Sequence, residues 1–156
     1  MSDSPYQCQV LMSHMMLPTH ANPFGHIHGG DIMKYIDDAA GVVAMKHART
    51  TVVTASIDRL DFHRPVHIGN LLILKASLNA TGRTSMEIGV RVEAEDLLAG
   101  VVTHIASAYL TFVALGEDNR PTPVPPYNPQ TLEAIRRRKQ AQERKACYYK
   151  SRNENE

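Results

Sequence analysis

The apolar stretch from residue 31 to about 48 most constrains the fold, because it alone has helical spacing and the runs after it alternate. Ile32, Ile36, Ala39, Val43 and His47 recur at intervals of three and four, which predicts one buried helical face. Met33, Asp37, Ala40 and Ala44 form the adjoining face. Gly41 weakens such a helix by about 1 kcal/mol relative to alanine, so close packing is expected there. The period then changes. "TTVVTASIDRLDF" is β-branched and reads as one strand. In "LLILKASLNA", Leu72, Leu74, Ala76 and Leu78 point one way and Lys75, Ser77 and Asn79 the other. In "MEIGVRVEAE", Met86, Ile88, Val90 and Val92 oppose Glu87, Arg91 and Glu93, the signature of a sheet with one buried and one wet face. "VVTHIASAYLTFVAL" is apolar or small on both sides and should be central. "QCQVLMSHMML", before the helix, reads as a first strand that ends at Pro18.

The connections "HRPVHIGN" and "TGRTS" are short. Parallel crossovers need a dozen or more residues, so the strands must be mostly antiparallel. One long helix and one antiparallel sheet can bury each other, which gives an α+β class with the helix along the apolar face. The chain length suits one domain with a single core. The Pro-rich "GEDNRPTPVPPYNP" closes it, which sets a body over residues 1–126 and a basic tail over 127–156. Residues 1–130 hold 9 Lys/Arg against 12 Asp/Glu, and residues 131–156 hold 8 against 4, so the positive charge is confined to the tail. Residues 130–146 read as a basic helix that leaves the body.

Cys8 and Cys147 stand near opposite ends with no metal or redox spacing, which points to a reducing compartment, the cytoplasm. The opening "MSDSPYQCQV" has no basic stretch followed by an apolar run, so no secretory leader is expected. No apolar segment approaches the roughly 20 residues that span a bilayer, so no membrane partner is expected.

"LPTHANPFGHIHGGDIMKYIDDAAGVVAMKHA", "VVTASIDRLDFHRPVHIGN", "GRTSMEIGVRVEAED" and "ASAYLTFVAL" together resemble the hotdog-fold acyl-CoA thioesterases of the cytosolic acyl-CoA hydrolase type. The resemblance covers roughly residues 10 to 126 and rests on the Asn-x-x-Gly loop, the His-Gly-Gly turn and the aspartate further along the helix. It implies a helix wrapped by the sheet, subunits paired edge to edge, and a trimer of such dimers. It implies that the thioester carbonyl is held at the helix N-terminus. It also implies that Asp37 and Asn22 act from opposite sides of the interface, so that a homodimer has two complete sites.

The chemistry fits these residues. Gly29 and Gly30 would expose backbone N–H groups and the positive end of the helix to a developing oxyanion, although a plain helix-entry turn also uses glycine. Asp37 lies on an apolar face, where burial would raise its pKa toward that of a useful base; a solvent-facing carboxylate is the ordinary alternative, and it suits the adjacent Asp38 better. Asn22 could orient water or hold the carbonyl, or could simply serve the turn before Pro23. The thiol of coenzyme A leaves readily as a thiolate, at a pKa of about 8.5 if it behaves like a free cysteine. No second acid is then needed, and no cofactor is expected beyond the coenzyme A of the substrate. His26-Ile27-His28 invites a metal, but no third ligand is apparent, and His28 is placed at the Gly-Gly turn against the substrate. Arg64 and Arg83 could hold phosphates, and Gly82, Thr84 and Ser85 complete a loop that the resemblance lays along coenzyme A.

Other activities remain open on residues alone. A non-enzymatic acyl-CoA-sensing module would use the same fold, but the presence of both Asn22 and Asp37 favours catalysis. A dehydratase or isomerase on acyl thioesters would use a catalytic His with Asp or Glu in the same fold, and the His-bearing loop would need a spacing other than the one to Asp37 here. The tail has three readings: a solvated end, a loose attraction to nucleic acid or membrane, or a device that attracts coenzyme A phosphates. The site assignments imply no nucleic-acid partner.

Overall fold

The computed structural model describes residues 8–153. Gln7, the first residue of the predicted first strand, and most of the opening stretch read for a leader lie outside the described residues. Strand β1 runs Gln9–Met15, and a short turn of helix at Pro18–His20 leads into the loop before α1, Gly29–Ala48. Then follow β2 (Thr51–Ile57), β3 (Asp61–Phe62), β4 (Leu71–Thr81), β5 (Ser85–Asp96), β6 (Val101–Leu115) and α2 (Leu132–Asn153).

The sheet is antiparallel throughout, in the order β1-β4-β5-β6-β2, with β3 also on β6. As the alternation requires, Leu72, Leu74, Ala76 and Leu78 of β4 and Met86, Ile88, Val90 and Val92 of β5 are buried. They pack against Ile32, Ile36, Ala39 and Val43 of α1. The central position of "VVTHIASAYLTFVAL" holds, since β6 pairs with β5 on one side and with β2 and β3 on the other.

Four details differ from the sequence reading. Helix α1 begins at Gly29, so both glycines belong to its first turn. The stretch "TTVVTASIDRLDF" breaks into β2 and β3, with a register shift between Thr54 and Ser56 in β2. The second helical face also divides. Ala40 and Ala44 are fully buried, whereas Met33 is 40% exposed and Asp37 is half-buried.

The fourth difference is the tail. Helix α2 does not leave the body but lies over the sheet face opposite α1, near Lys75, Ser77, Asn79 and Tyr109. Ala134 and Ala141 are buried in that contact. Arg144 pairs with Glu87 and stacks 3.6 Å from the centre of the Tyr109 ring. The face that alternation marks as wet is therefore partly covered, and Asn79 is only 2% exposed, bonded to Ser77 and Glu87.

Candidate active site

Asn22 is built into its turn by both backbone and side chain. Its N–H donates to the His26 carbonyl at 2.7 Å. Its Oδ1 accepts the N–H groups of Phe24 at 2.9 Å and His26 at 3.1 Å. Gly25 takes a φ of +82°, which glycine tolerates at no steric cost. These bonds fix the amide flip, because the oxygen must face the turn. The Nδ2 group then points away from the turn as a pair of N–H donors, with no acceptor among the described residues.

The chain next reaches α1. His28 is the N-cap, and its carbonyl accepts from Asp31 at 3.0 Å and Ile32 at 3.3 Å. The N–H groups of Gly29 and Gly30 have no acceptor among the described residues, as the first turn of a helix leaves them. Neither glycine is required by its φ, and a Cβ at Gly29 would approach only the Phe62 ring, at 3.8 Å. What the glycines leave is bare backbone at the positive end of a helix. The exposed His28 ring sits beside that turn, with Nδ1 3.6 Å from where a Gly30 Cβ would stand. Asn22, Gly29, Ile32, Phe62 and Arg64 line one concavity of about 300 Å³. Three predicted site residues, Asn22, Gly29 and Arg64, are therefore brought together.

Asp37 is not among them. It lies eight residues beyond Gly29, which is about 12 Å of rise along the helix. Its carboxylate turns toward β2, where Thr54 Oγ1 donates to Asp37 Oδ1 at 2.7 Å. Asp38 is exposed. The i, i+4 row through Asp37 runs Met33, Asp37, Gly41, Met45, and both methionines are substantially exposed. Within one chain, the donor end and the carboxylate face separate spaces.

Thr54 was invisible in the sequence. Thr54 pairs with Phe112 and Ser56 with Thr111, and Ala55 between them takes up the register shift. Thr54 thus faces α1, while Ser56 faces the opposite side of the sheet. No alternation rule would place two residues of the same parity on opposite faces; only the bulge does.

Gly82, Arg83, Thr84 and Ser85 lie elsewhere again. The loop is clamped by the Pro-rich return segment and by β6, since Arg83 C=O accepts from Val124 and Thr84 C=O from Ala114. A Cβ at Gly82 would stand 2.7 Å from Ser85 Oγ, so a larger residue would make that hydroxyl turn away. Gly82 and Ser85 share a cavity of about 410 Å³ with Ser56, Asp58, Arg138 and Lys145, roofed by α2. Burial pushes the Asp58 carboxyl above the usual range; the Glu87 charge adds to this and Arg144 opposes it.

One antiparallel sheet wrapped on one long helix is the hotdog fold, and here it carries bare amides at the helix entry and the Thr54-bonded carboxylate of Asp37 two turns on. The chain belongs to the thioesterase superfamily, whose model matches residues 24–101. It is 36% identical over 129 residues to the uncharacterized acyl-CoA thioester hydrolase YkhA of Bacillus subtilis, covering 83% of this chain and 75% of that one. An apo-hexameric acyl-CoA thioesterase superposes with a TM-score of 0.88 at 42% identity over 92% of each chain. The Staphylococcus aureus acyl-CoA hydrolase, solved with butyryl coenzyme A, coenzyme A and its disulfide, gives 0.85 at 32% identity, over 94% of this chain and 90% of that one. Structures of that hydrolase with one Asp, one Asn or one Thr replaced by Ala also match. Family membership makes this chain a thioester hydrolase.

Proposed function

We propose that the enzyme hydrolyses acyl-CoA to a free acid and coenzyme A, in a site completed by two subunits. The observation that carries this reading is the separation of Asp37 from Asn22 and Gly29 along α1, with each end facing outward. An edge-to-edge dimer through β2 would bring Asp37 of one subunit to the helix entry of the other. The relatives support the substrate class, and the hexameric neighbour supports assembly of such dimers in threes.

The steps follow from the groups present. Asp37, held by Thr54, accepts a proton from water as the oxygen attacks the thioester carbonyl. The C=O pair moves onto oxygen, and the N–H groups of the helix entry and of Asn22 from the partner subunit receive the negative charge. The tetrahedral carbon then reforms its C=O, and the C–S bond breaks. The sulfur leaves with its electron pair as a thiolate, which the proton taken up by Asp37 can neutralise. Arg64, beside Asn22 and Gly29, and His28 meet the substrate near the carbonyl. Gly82, Arg83, Thr84 and Ser85, with the cations of α2, meet the nucleotide end. The chemistry calls for no metal and no cofactor.

Among the described residues no helix is long and apolar enough to cross a membrane. Two cysteines near opposite ends of the sequence are too few for a disulfide framework, and we infer the cytoplasm as the working compartment. A thiol-release assay over a series of acyl-CoA substrates tests the function. Turnover is expected; saturable binding of acyl-CoA without thiol release would instead make the chain a sensing module.

A further inference from the structure

We propose that Tyr148 and Tyr149 of α2 are the platform on which the purine ring of the coenzyme A nucleotide stacks, an inference that rests on the hydrolase reading above. Helix α2 buries only Ala134 and Ala141. Both tyrosines stay about half exposed, so packing against the body does not account for two large rings on a polar helix. They line instead the cavity of about 410 Å³ that α2 roofs, a volume ordinary for a small-molecule site. Their ring centres are 5.9 Å apart, with the planes at 72°. An edge-to-face pair offers a third ring one face to stack on and one edge beside it.

The rest of that cavity suits a nucleotide. Arg138, Ala141, Lys145, Tyr148 and Tyr149 recur at intervals of three and four, so one face of α2 carries the buried alanine, two cations and both rings. The Lys145 ammonium stands over the loop assigned above to coenzyme A, with Nζ 3.3 Å from where a Gly82 Cβ would be. Asp58 and Glu87 also line the cavity, and the charge of Arg144 acts on both. Arg144 is thereby engaged, and Arg138 and Lys145 are left to meet phosphate. The cavity also backs onto the catalytic carboxylate. Thr54 holds Asp37 on the α1 side of β2, and Ser56, about 7 Å further along the strand, lines the cavity on the other side. Strand β2 ends the sheet order, so the flexible arm between thioester and nucleotide has an edge to pass round.

The test titrates coenzyme A calorimetrically into wild type, the double variant Tyr148→Ala with Tyr149→Ala, and the double variant Tyr148→Phe with Tyr149→Phe. Thiol release from butyryl-CoA and butyryl-pantetheine is assayed in parallel. Stacking of a base on an aromatic ring is worth about 1–3 kcal/mol, so the alanine pair should weaken coenzyme A binding by about five- to a hundredfold, and the phenylalanine pair should bind nearly as wild type. KM for butyryl-CoA should rise with the Kd, while kcat and the KM for butyryl-pantetheine, which has no base to stack, stay nearly unchanged. Equal Kd for coenzyme A in wild type and the alanine pair overturns the inference. So does a loss of equal size on butyryl-pantetheine, which would show that the rings act through the fold. ADP is titrated as well: if the alanine pair loses ADP but keeps coenzyme A, the platform belongs to a free nucleotide and the inference falls. Circular dichroism follows α2. If the alanine pair loses helix, the two single alanine variants decide, and an unchanged Kd in both overturns the inference. A wild type that binds coenzyme A but releases no thiol sinks the hydrolase reading, and the titrations still decide this one.

Discussion

Thr54 Oγ1 lies 2.7 Å from Asp37 Oδ1, across the seam between β2 and α1. The contact occupies one carboxylate oxygen and leaves Oδ2 for water. A hydrogen bond to a charged group is worth about 1.5–3 kcal/mol, which is at least tenfold in a rate when it is lost. If Asp37 is the base proposed above, Thr54 positions it, and the loss of Thr54 should appear in kcat. Thr54→Val is expected to lower kcat at least tenfold with KM nearly unchanged, and Thr54→Ser should recover most of the loss. Equal losses in Val and Ser variants would show that shape, rather than the hydroxyl, is what matters at this position.

The proposed division of the site between two chains makes a second prediction. Asn22→Ala and Asp37→Ala homodimers should each retain less than about a tenth of wild-type kcat/KM. Mixed and exchanged, half of the dimers become heterodimers, each with one intact site. About a quarter of full activity should then return, provided the sites act independently. Absence of recovery after exchange verified by mass spectrometry would put both residues in one chain's site.

Two carboxylates on the α2 side of the sheet predict opposite pH effects. Hydrogen bonds from Arg91 and then Lys75 hold the Glu93 carboxyl below its ordinary range. A pKa lowered on folding contributes stability that is complete above the unfolded value and lost as pH falls through the folded one. Glu93→Gln should therefore lower Tm at neutral pH, with the gap closing in acid. Asp58 is the reverse case, raised chiefly by burial. Its ionisation opposes folding above the folded pKa, and that cost vanishes below the ordinary aspartate range. Asp58→Asn should raise Tm at neutral pH, again with convergence in acid. Thermal melts from pH 3 to 8 check both signs, and a gap of constant size would exclude titration as the cause.

Much of this arrangement could be read from the residues. Alternation placed Leu72 to Leu78 and Met86 to Val92 correctly because each strand has one face on α1, and a period of two leaves little freedom there. Asn22 and Gly29 were legible because turn chemistry and helix entry are local. Thr54 was not, because its direction depends on a bulge set by pairing with β6, almost 60 residues away in sequence. The docking of α2 was hidden for a related reason. The helix buries only Ala134 and Ala141, too little for a hydrophobic pattern. What attaches it is the pairing of Arg144 with Glu87 and Tyr109, long-range contacts that no window along the chain contains. The limits of α1 shifted by two residues because glycine reads as a break, although here it occupies the first turn.

The docked tail changes how a role in substrate capture must be tested. Deletion after Tyr127 would uncover Ala134's and Ala141's contacts and leave Glu87, whose side chain is 13% exposed, without Arg144. Any loss would then mix folding with binding. Arg138 and Lys145 offer a cleaner probe, since they line the cavity with Gly82 and Ser85 and hold none of the ion pairs that attach α2. Coenzyme A carries several phosphate charges, and cations at the mouth of its cleft would draw it in by long-range attraction. The double variant Arg138→Glu with Lys145→Glu is expected to raise KM for acyl-CoA several-fold at low salt. The difference should shrink as ionic strength rises, because the screening length falls from about 10 Å at 0.1 M to about 3 Å at 1 M. The kcat should change little, since the proposed position of the reacting carbonyl is at α1. An acyl-pantetheine substrate, which lacks the nucleotide phosphates, should not distinguish the variant from wild type. Equal KM for acyl-CoA at low salt in the two proteins would reduce the α2 cations to a solvated face and leave Arg83 as the phosphate contact to test next.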